Sequence, residues 1–191
     1  GHLEMVNVFT RSLRRERVPL KYSKGFHPMP KVSFEDTLPM GMQSEDERMW
    51  VTLTEPIDSG DLILRLRRQM PDGLEITGCS PYLNKKTMER IDKQHYRVEL
   101  KDGFFMQKDL DWFFGQQSVT IERKSKKGKL VVVDLKKAVS EIRLLDDHHV
   151  VMTLGTDNNL MVRPGHLMKT VFKLSELQIL TAIITKKKNH V

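Results

Sequence analysis

The residues best equipped for chemistry lie in one stretch, Lys21-Tyr22-Ser23-Lys24-Gly25-Phe26-His27-Pro28-Met29-Pro30-Lys31-Val32-Ser33. Lysines can contact phosphates, and tyrosine and phenylalanine rings can stack on unpaired bases for roughly 1–3 kcal/mol per base. Pro19 on one side and Pro28 and Pro30 on the other restrict the backbone before any ligand arrives. The competing reading makes Tyr22 and Phe26 core anchors of an ordinary loop. His27 offers a general acid or base, with Lys24 or Arg14 stabilising negative charge on a phosphate-like substrate. If the loop folds back on the opening helix, His2 and His27 meet, and a hydrogen-bonding or substrate-contact role suits them better than metal ligation.

Other constellations are missing. One cysteine, Cys79, supplies neither an iron–sulfur cluster nor a structural zinc site, and it reads as a small buried hydrophobe in a strand. His148 and His149 are adjacent in a predicted strand, so they face opposite ways and chelate poorly. The chain has no Walker loop, no G-x-G-x-x-G turn and no G-x-S-x-G elbow. No cofactor and no metal is expected.

Charge is concentrated. Residues 1–33 carry seven basic and two acidic side chains and residues 123–143 eight and two, whereas 34–122 carry eleven and seventeen. Two basic segments on one face would reinforce each other within a Debye length of about 10 Å and attract polyanions. The plainer reading of Arg123-Lys124-Ser125-Lys126-Lys127-Gly128-Lys129 is a solvated hairpin tip. The single cysteine, the absence of a long apolar run and the lack of an apolar leader lead us to expect a cytoplasmic protein outside the membrane.

These groups need elements to hold them. Residues 3–17 predict a helix with Met5, Val6, Phe9 and Leu13 on one side and Arg11, Arg14 and Arg15 on the other, ending near Val18 because Pro19 follows. Lys31 to Glu35 and Arg48 to Thr54 predict strands, Asp58-Ser59-Gly60-Asp61 offers an N-cap to a helix carrying Leu62, Leu66 and Met70, and Leu74 to Tyr82 predicts another strand. Lys85 to Lys93 is the expected connection. The second half opens with the alternating strand at His95 to Leu100 and continues with a short aromatic helix around Leu110, Phe113 and Phe114. A hairpin follows, pairing Val119 to Arg123 with Leu130 to Leu135, and Ile142 to Leu154 contains a further strand. Arg163 opens a helix, and Leu177 to Ile184 predicts a closing strand. The expected architecture is α+β, two tandem ferredoxin-like β-α-β-β-α-β units over 1–83 and 94–191, the first lacking its opening strand.

The run from Tyr22 to Phe34, together with His2-Leu3-Glu4, Arg14-Arg15 and Leu38-Pro39-Met40-Gly41-Met42-Gln43-Ser44, closely resembles the N-terminal signature of a bacterial domain family called radical-SAM-linked. Arg123 to Gly128 and Val162-Arg163-Pro164 resemble its weaker C-terminal pattern. Members are fused behind, or encoded beside, cobalamin-binding radical SAM proteins, often near genes for ribosomal proteins and ribonuclease G. The resemblance implies an accessory module, since this chain lacks the radical SAM cysteine triplet. Its expected partners are such a radical SAM protein and RNA or the ribosome. The candidate substrate- or phosphate-binding set is His2, Arg11, Arg14, Arg15, Lys21, Tyr22, Ser23, Lys24, Gly25, Phe26, His27, Lys31, Ser33 and Ser44, with Arg123, Lys124, Lys126 and Lys127. Two rivals remain: a phosphate-substrate enzyme using His27, and a protein-docking scaffold exposing an apolar patch around Trp112 to Phe114.

Overall fold

The computed structural model describes residues 2–35, 38–82, 93–124 and 128–188. Helices and strands alternate in an α+β chain. In order they are α1 (His2–Arg15), β1 (Val32–Phe34), β2 (Met42–Ser44), β3 (Met49–Val51), α2 (Ser59–Arg67), β4 (Gln94–Glu99), α3 (Gln107–Gly115), β5 (Thr120–Lys124) and β6 (Leu130–Asp134). There follow α4 (Leu135–Ala138), β7 (Val139–Leu144), β8 (His149–Leu154), β9 (Thr156–Asp157), β10 (Leu160–Met161), α5 (Pro164–Thr170), α6 (Glu176–Thr181) and β11 (Ile183–Lys187). Two compact units emerge. One comprises Gly1–Met40 with Glu47–Glu89, and the other Gly41–Asp46 with Arg90–Val191. The expected connection at Lys85 to Lys93 lies outside the described residues except for Lys93 itself.

In the first unit α1 turns its apolar side inward: Leu13 is buried, and the Phe9 ring lies 6.0 Å from that of Phe34. The helix stops as a Schellman motif. Arg17 adopts the left-handed conformation (φ 48°), its N–H donates to the Arg14 carbonyl, and the Val18 N–H reaches the Leu13 carbonyl. Val18 and Leu13 then join one core with Leu20, Leu62 and Leu66, against which Val32, Met49, Val51 and Leu53 pack. β1 and β3 pair antiparallel, Val32 opposite Val51 and Phe34 opposite Met49. Asp58 caps α2 by accepting the Asp61 N–H at 2.7 Å. Arg65 of α2 pairs with Glu16 at 3.3 Å and with Asp61 at 3.1 Å, fastening the end of α1 to α2.

Residues 74–82 are not the expected strand. Gly78 and Pro81 weaken ladder pairing there, and side-chain anchors hold the segment instead. Arg67 Nε donates to the Ile76 carbonyl at 2.8 Å, Ile76 packs on the core, and the Tyr82 ring sits 6.0 Å from Trp50. Cys79 is consequently exposed, contrary to its reading as a buried hydrophobe.

The second unit is built on a five-stranded sheet in the order β2-β11-β4-β8-β7. Every neighbouring pair is antiparallel except β2 with β11, so the short strand from residues 42–44 extends the sheet edge in parallel. Tyr96 and Val98 of β4 and Val150, Met152 and Leu154 of β8 share a core with Leu110 and Phe113 of α3 and Leu167 and Met168 of α5. β5 and β6 form the expected hairpin, and the strand expected within 142–154 is the pair β7 and β8 across Asp146. The closing strand starts late. Ser175 and Gln178 form a capping box, each side chain accepting from the other's backbone N–H, and this nucleates α6 before β11 begins at Ile183.

Burial separates the leucines of this region. Leu167→Ala, at 0% exposure, should cost about 2–5 kcal/mol. Leu177→Ala, on the outer side of α6 at 70% exposure, should stay within about 0.5 kcal/mol. Urea unfolding followed by circular dichroism checks the contrast.

Candidate functional site

The segment after α1 is braced by backbone hydrogen bonds that meet at its base. Lys21 N–H donates to the Thr52 carbonyl (2.8 Å), Thr52 N–H to the Lys31 carbonyl (2.9 Å), and Lys31 N–H to the Lys21 carbonyl (2.8 Å). One step further out Ser23 N–H donates to the Met29 carbonyl at 2.8 Å, and the Ser23 hydroxyl accepts the Met29 N–H at 3.0 Å. Isolated bridges join Leu20 to Leu53 and Tyr22 to Pro30. Between these ties the chain turns through Gly25, whose φ of 144° disfavours any side chain.

What the braced loop presents is unusual for its residue types. Phe26 has a relative exposure of 103%, so it is no core anchor, and the chain forgoes about 1.5–3 kcal/mol of burial by leaving the ring in water. Lys24, His27 and Met29 are also exposed. Tyr22 is less so, because the Arg14 guanidinium sits 5.9 Å from its ring centroid, within cation–π range. Arg11 and Arg15 share the exposed side of α1, and Arg15 reaches Gln69 at 3.4 Å. The first unit therefore combines exposed cations, one arginine-backed tyrosine and one bare phenyl ring.

Other candidates sit elsewhere or do other work. Ser23 serves as a brace, and Ser33 lies paired with Trp50 inside the β1–β3 ladder. Ser44 belongs to the second unit, where its hydroxyl accepts the Asp46 N–H at 3.3 Å. Lys31 contributes its backbone and leaves its side chain exposed. Lys126, Lys127 and the side chain of His2 lie outside the described residues. His27 has no hydrogen-bond partner among the described residues to orient its ring. The described residues also include no group of three or more His, Cys, Asp or Glu side chains able to hold a metal.

Arg123 and Lys124 end β5 in the second unit. Lys124 is exposed, but Arg123 is partly buried and donates from Nη1 to the Met161 carbonyl at 2.6 Å. Burial, together with the nearby Arg163, lowers its pKa. His166 completes this cluster. Its Nδ1 accepts the Arg163 N–H at 3.0 Å, and burial beside the Arg123 and Arg163 charges pushes the imidazole down to about 4. Sequence reasoning saw Arg163 to Leu167 as a helix start and Val162-Arg163-Pro164 as part of a family pattern, but did not single out His166. Nearby in sequence, Trp112 and Phe114 are exposed while Phe113 is buried. Lys136 lies 4.8 Å from the Phe113 ring and donates to the Phe113 and Phe114 carbonyls, and Lys173 lies 5.5 Å from the Trp112 ring.

The chain is an α+β protein whose first unit carries a braced loop flanked by exposed cations. It belongs to a family described as an uncharacterized protein conserved in bacteria (DUF2344), whose match spans residues 1–164. Neither curated proteins nor solved structures gave a match. No described helix is long and apolar enough to cross a membrane.

The His166 shift fixes the sign of one pH effect. Unfolded, its imidazole protonates near pH 6.5, whereas folded it stays neutral to about 4. Between those values the unfolded chain binds the extra proton, so stability contributed here is full above about pH 6.5 and falls as pH drops toward 4. His166→Gln should flatten that part of the profile, as read from urea midpoints measured across this range.

Proposed function

We propose that the first unit is a nucleic-acid-facing adaptor that binds single-stranded RNA, and that the chain presents an RNA or ribosomal substrate to a cobalamin-binding radical SAM protein. The observation that carries the first part is the loop itself, a solvent-exposed Phe26 held on a hydrogen-bonded base beside Lys24, Arg14 and Tyr22. Exposed aromatic rings next to cations suit single strands, because every base has a face to stack and every linkage a phosphate to neutralise. The radical SAM partner is supported by the sequence resemblance of Tyr22 to Phe34 and Leu38 to Ser44. A cytoplasmic location accords with such a partner. Catalysis by His27 has weaker support, since no hydrogen bond from the described residues aligns its ring.

We also read the second unit as ferredoxin-like. In its favour, β4, β7, β8 and β11, numbered one to four, stand in the order four-one-three-two with all neighbours antiparallel, and helices intervene after the first and third. The tandem arrangement has no such support from the first unit, where the described pairing is the short β1–β3 ladder.

Fluorescence anisotropy with a labelled single-stranded RNA tests the adaptor. Log affinity should fall linearly with log salt, about 0.7 per phosphate neutralised. Phe26→Ala should lose the worth of about one stacked base, roughly 1–3 kcal/mol. Reversing both Arg14 and Arg15 to Glu should weaken binding and flatten the salt slope, whereas Lys187→Ala should do little, since Lys187 already pairs with Glu45. A salt-independent affinity, or wild-type binding by Phe26→Ala, would remove the proposal.

A further inference from the structure

β7 stands at the end of the five-stranded sheet, so its backbone is paired on one side. Which of its residues point outward follows from the ladder. The Leu145 N–H donates to the His149 carbonyl and the Gly155 N–H to the Ala138 carbonyl, whereas the Leu100 N–H reaches the His148 carbonyl across the other side of β8. Since backbone direction alternates along a strand, Val151 and Thr153 bond toward β7, opposite Arg143 and Glu141. Ile142 and Leu144 are left with their N–H and C=O groups directed out of the sheet edge. Such edges are commonly blunted by a proline, a bulge or a covering loop. β7 has no proline, its irregularity is confined to Ser140 between Val139 and Glu141, and Ser140, Glu141 and Arg143 are all exposed.

The charges on this strand say what fits against it. Glu141 and Arg143 flank Ile142 on the outer face of the sheet, while the Ile142 side chain is buried in the core of its own unit. Glu141 accepts a long hydrogen bond from the Thr153 hydroxyl at 3.4 Å, and Arg143 has no ion-pair or hydrogen-bond partner among the described residues. A second copy of β7 laid antiparallel along the edge can be centred on residue 141, 142 or 143. Centred on Ile142, the two isoleucines exchange both backbone bonds, and Glu141 of each copy stands opposite Arg143 of the other in a non-hydrogen-bonded pair, where side chains come closest. Centred one residue to either side, Glu141 meets Glu141 or Arg143 meets Arg143, and like charges directly opposite are destabilising. The strand thus carries its own complement in one register, as a two-fold interface requires.

We propose that the β7 edge is the two-fold interface of a homodimer, in which residues 141–144 pair with a second copy of the chain about Ile142 and join the two five-stranded sheets edge to edge. The contact consists of backbone hydrogen bonds and two Glu141–Arg143 ion pairs and buries no new apolar core. The dimer is therefore weak, with a dissociation constant on the order of 100 µM, and it loosens as salt screens the ion pairs. This surface belongs to the second unit and does not depend on the reading given to the loop of the first.

Sedimentation velocity of the whole chain from about 10 µM to about 1 mM should show a reversible monomer–dimer equilibrium. Glu141→Arg sets arginine opposite arginine and Arg143→Glu sets glutamate opposite glutamate, so each variant alone should dimerise at least about tenfold more weakly. An equimolar mixture of the two should dimerise again, because two arginines of one copy then face two glutamates of the other. Circular dichroism checks that each variant folds, and the double exchange Glu141→Arg with Arg143→Glu, which restores both pairs, should dimerise like the wild type. A wild-type chain that stays monomeric to about 1 mM would overturn the proposal and leave the edge to an extended segment of another protein. Association undiminished by either reversal, or no recovery on mixing the folded variants, would overturn it as well. RNA binding is read separately, so a monomer that binds RNA sinks the dimer alone, and a dimer that binds none sinks only the adaptor reading.

Discussion

Three backbone hydrogen bonds joining Lys21, Lys31 and Thr52 are the constraint on which the site depends. They close the loop between Lys21 and Lys31 at its base and leave residues 24–29 facing water. Without them Phe26 would be free to collapse onto the nearest apolar surface, as the hydrophobic effect favours. With them the ring is held out, and the ordering cost that a flexible loop would meet on binding is largely met on folding. The base is in turn set by the core beneath it. Leu20 and Val32 are tied to Leu53 and Val51, and the Schellman turn at Arg17 brings Val18 onto Leu13.

The second unit applies the same logic to charge. The anchoring of Arg123 to the Met161 carbonyl keeps a guanidinium group partly buried, and the Arg163 N–H holds the neutral imidazole of His166. Each group alone would prefer water. Packing overrides that preference.

Much of the local structure was legible in the sequence because its signals are local. The period of Met5, Val6, Phe9 and Leu13, the stop at Pro19, the Asp58 cap and the β5–β6 hairpin all follow from residues within a few positions of one another. The prolines correctly marked residues 19–30 as restrained, but they are only part of the restraint, since the Ser23 hydroxyl and the Lys21 and Lys31 backbone supply the ties. Two misreadings share a cause. Alternating apolar residues at Leu74 and Ile76, and again at Leu177 and Ile179, imitate strands, yet the first run has Gly78 and Pro81 and the second opens with the Ser175 and Gln178 capping box. That box was visible in the sequence and should have outweighed the alternation. The Arg123–Arg163–His166 cluster was not legible, because nothing local places residue 123 against residue 161. Only the fold brings them together.

The measurement that bears most directly on the braced loop is amide hydrogen exchange of the unliganded chain, read residue by residue. The amides of Met29, Lys31 and Thr52 should be protected while those of Lys24 and Phe26 exchange freely, and addition of single-stranded RNA should slow only the second group. Equally rapid exchange at Lys31, Thr52 and Phe26 in the free chain would contradict the account, because it would mean that the ring is presented by a segment with no base to hold it.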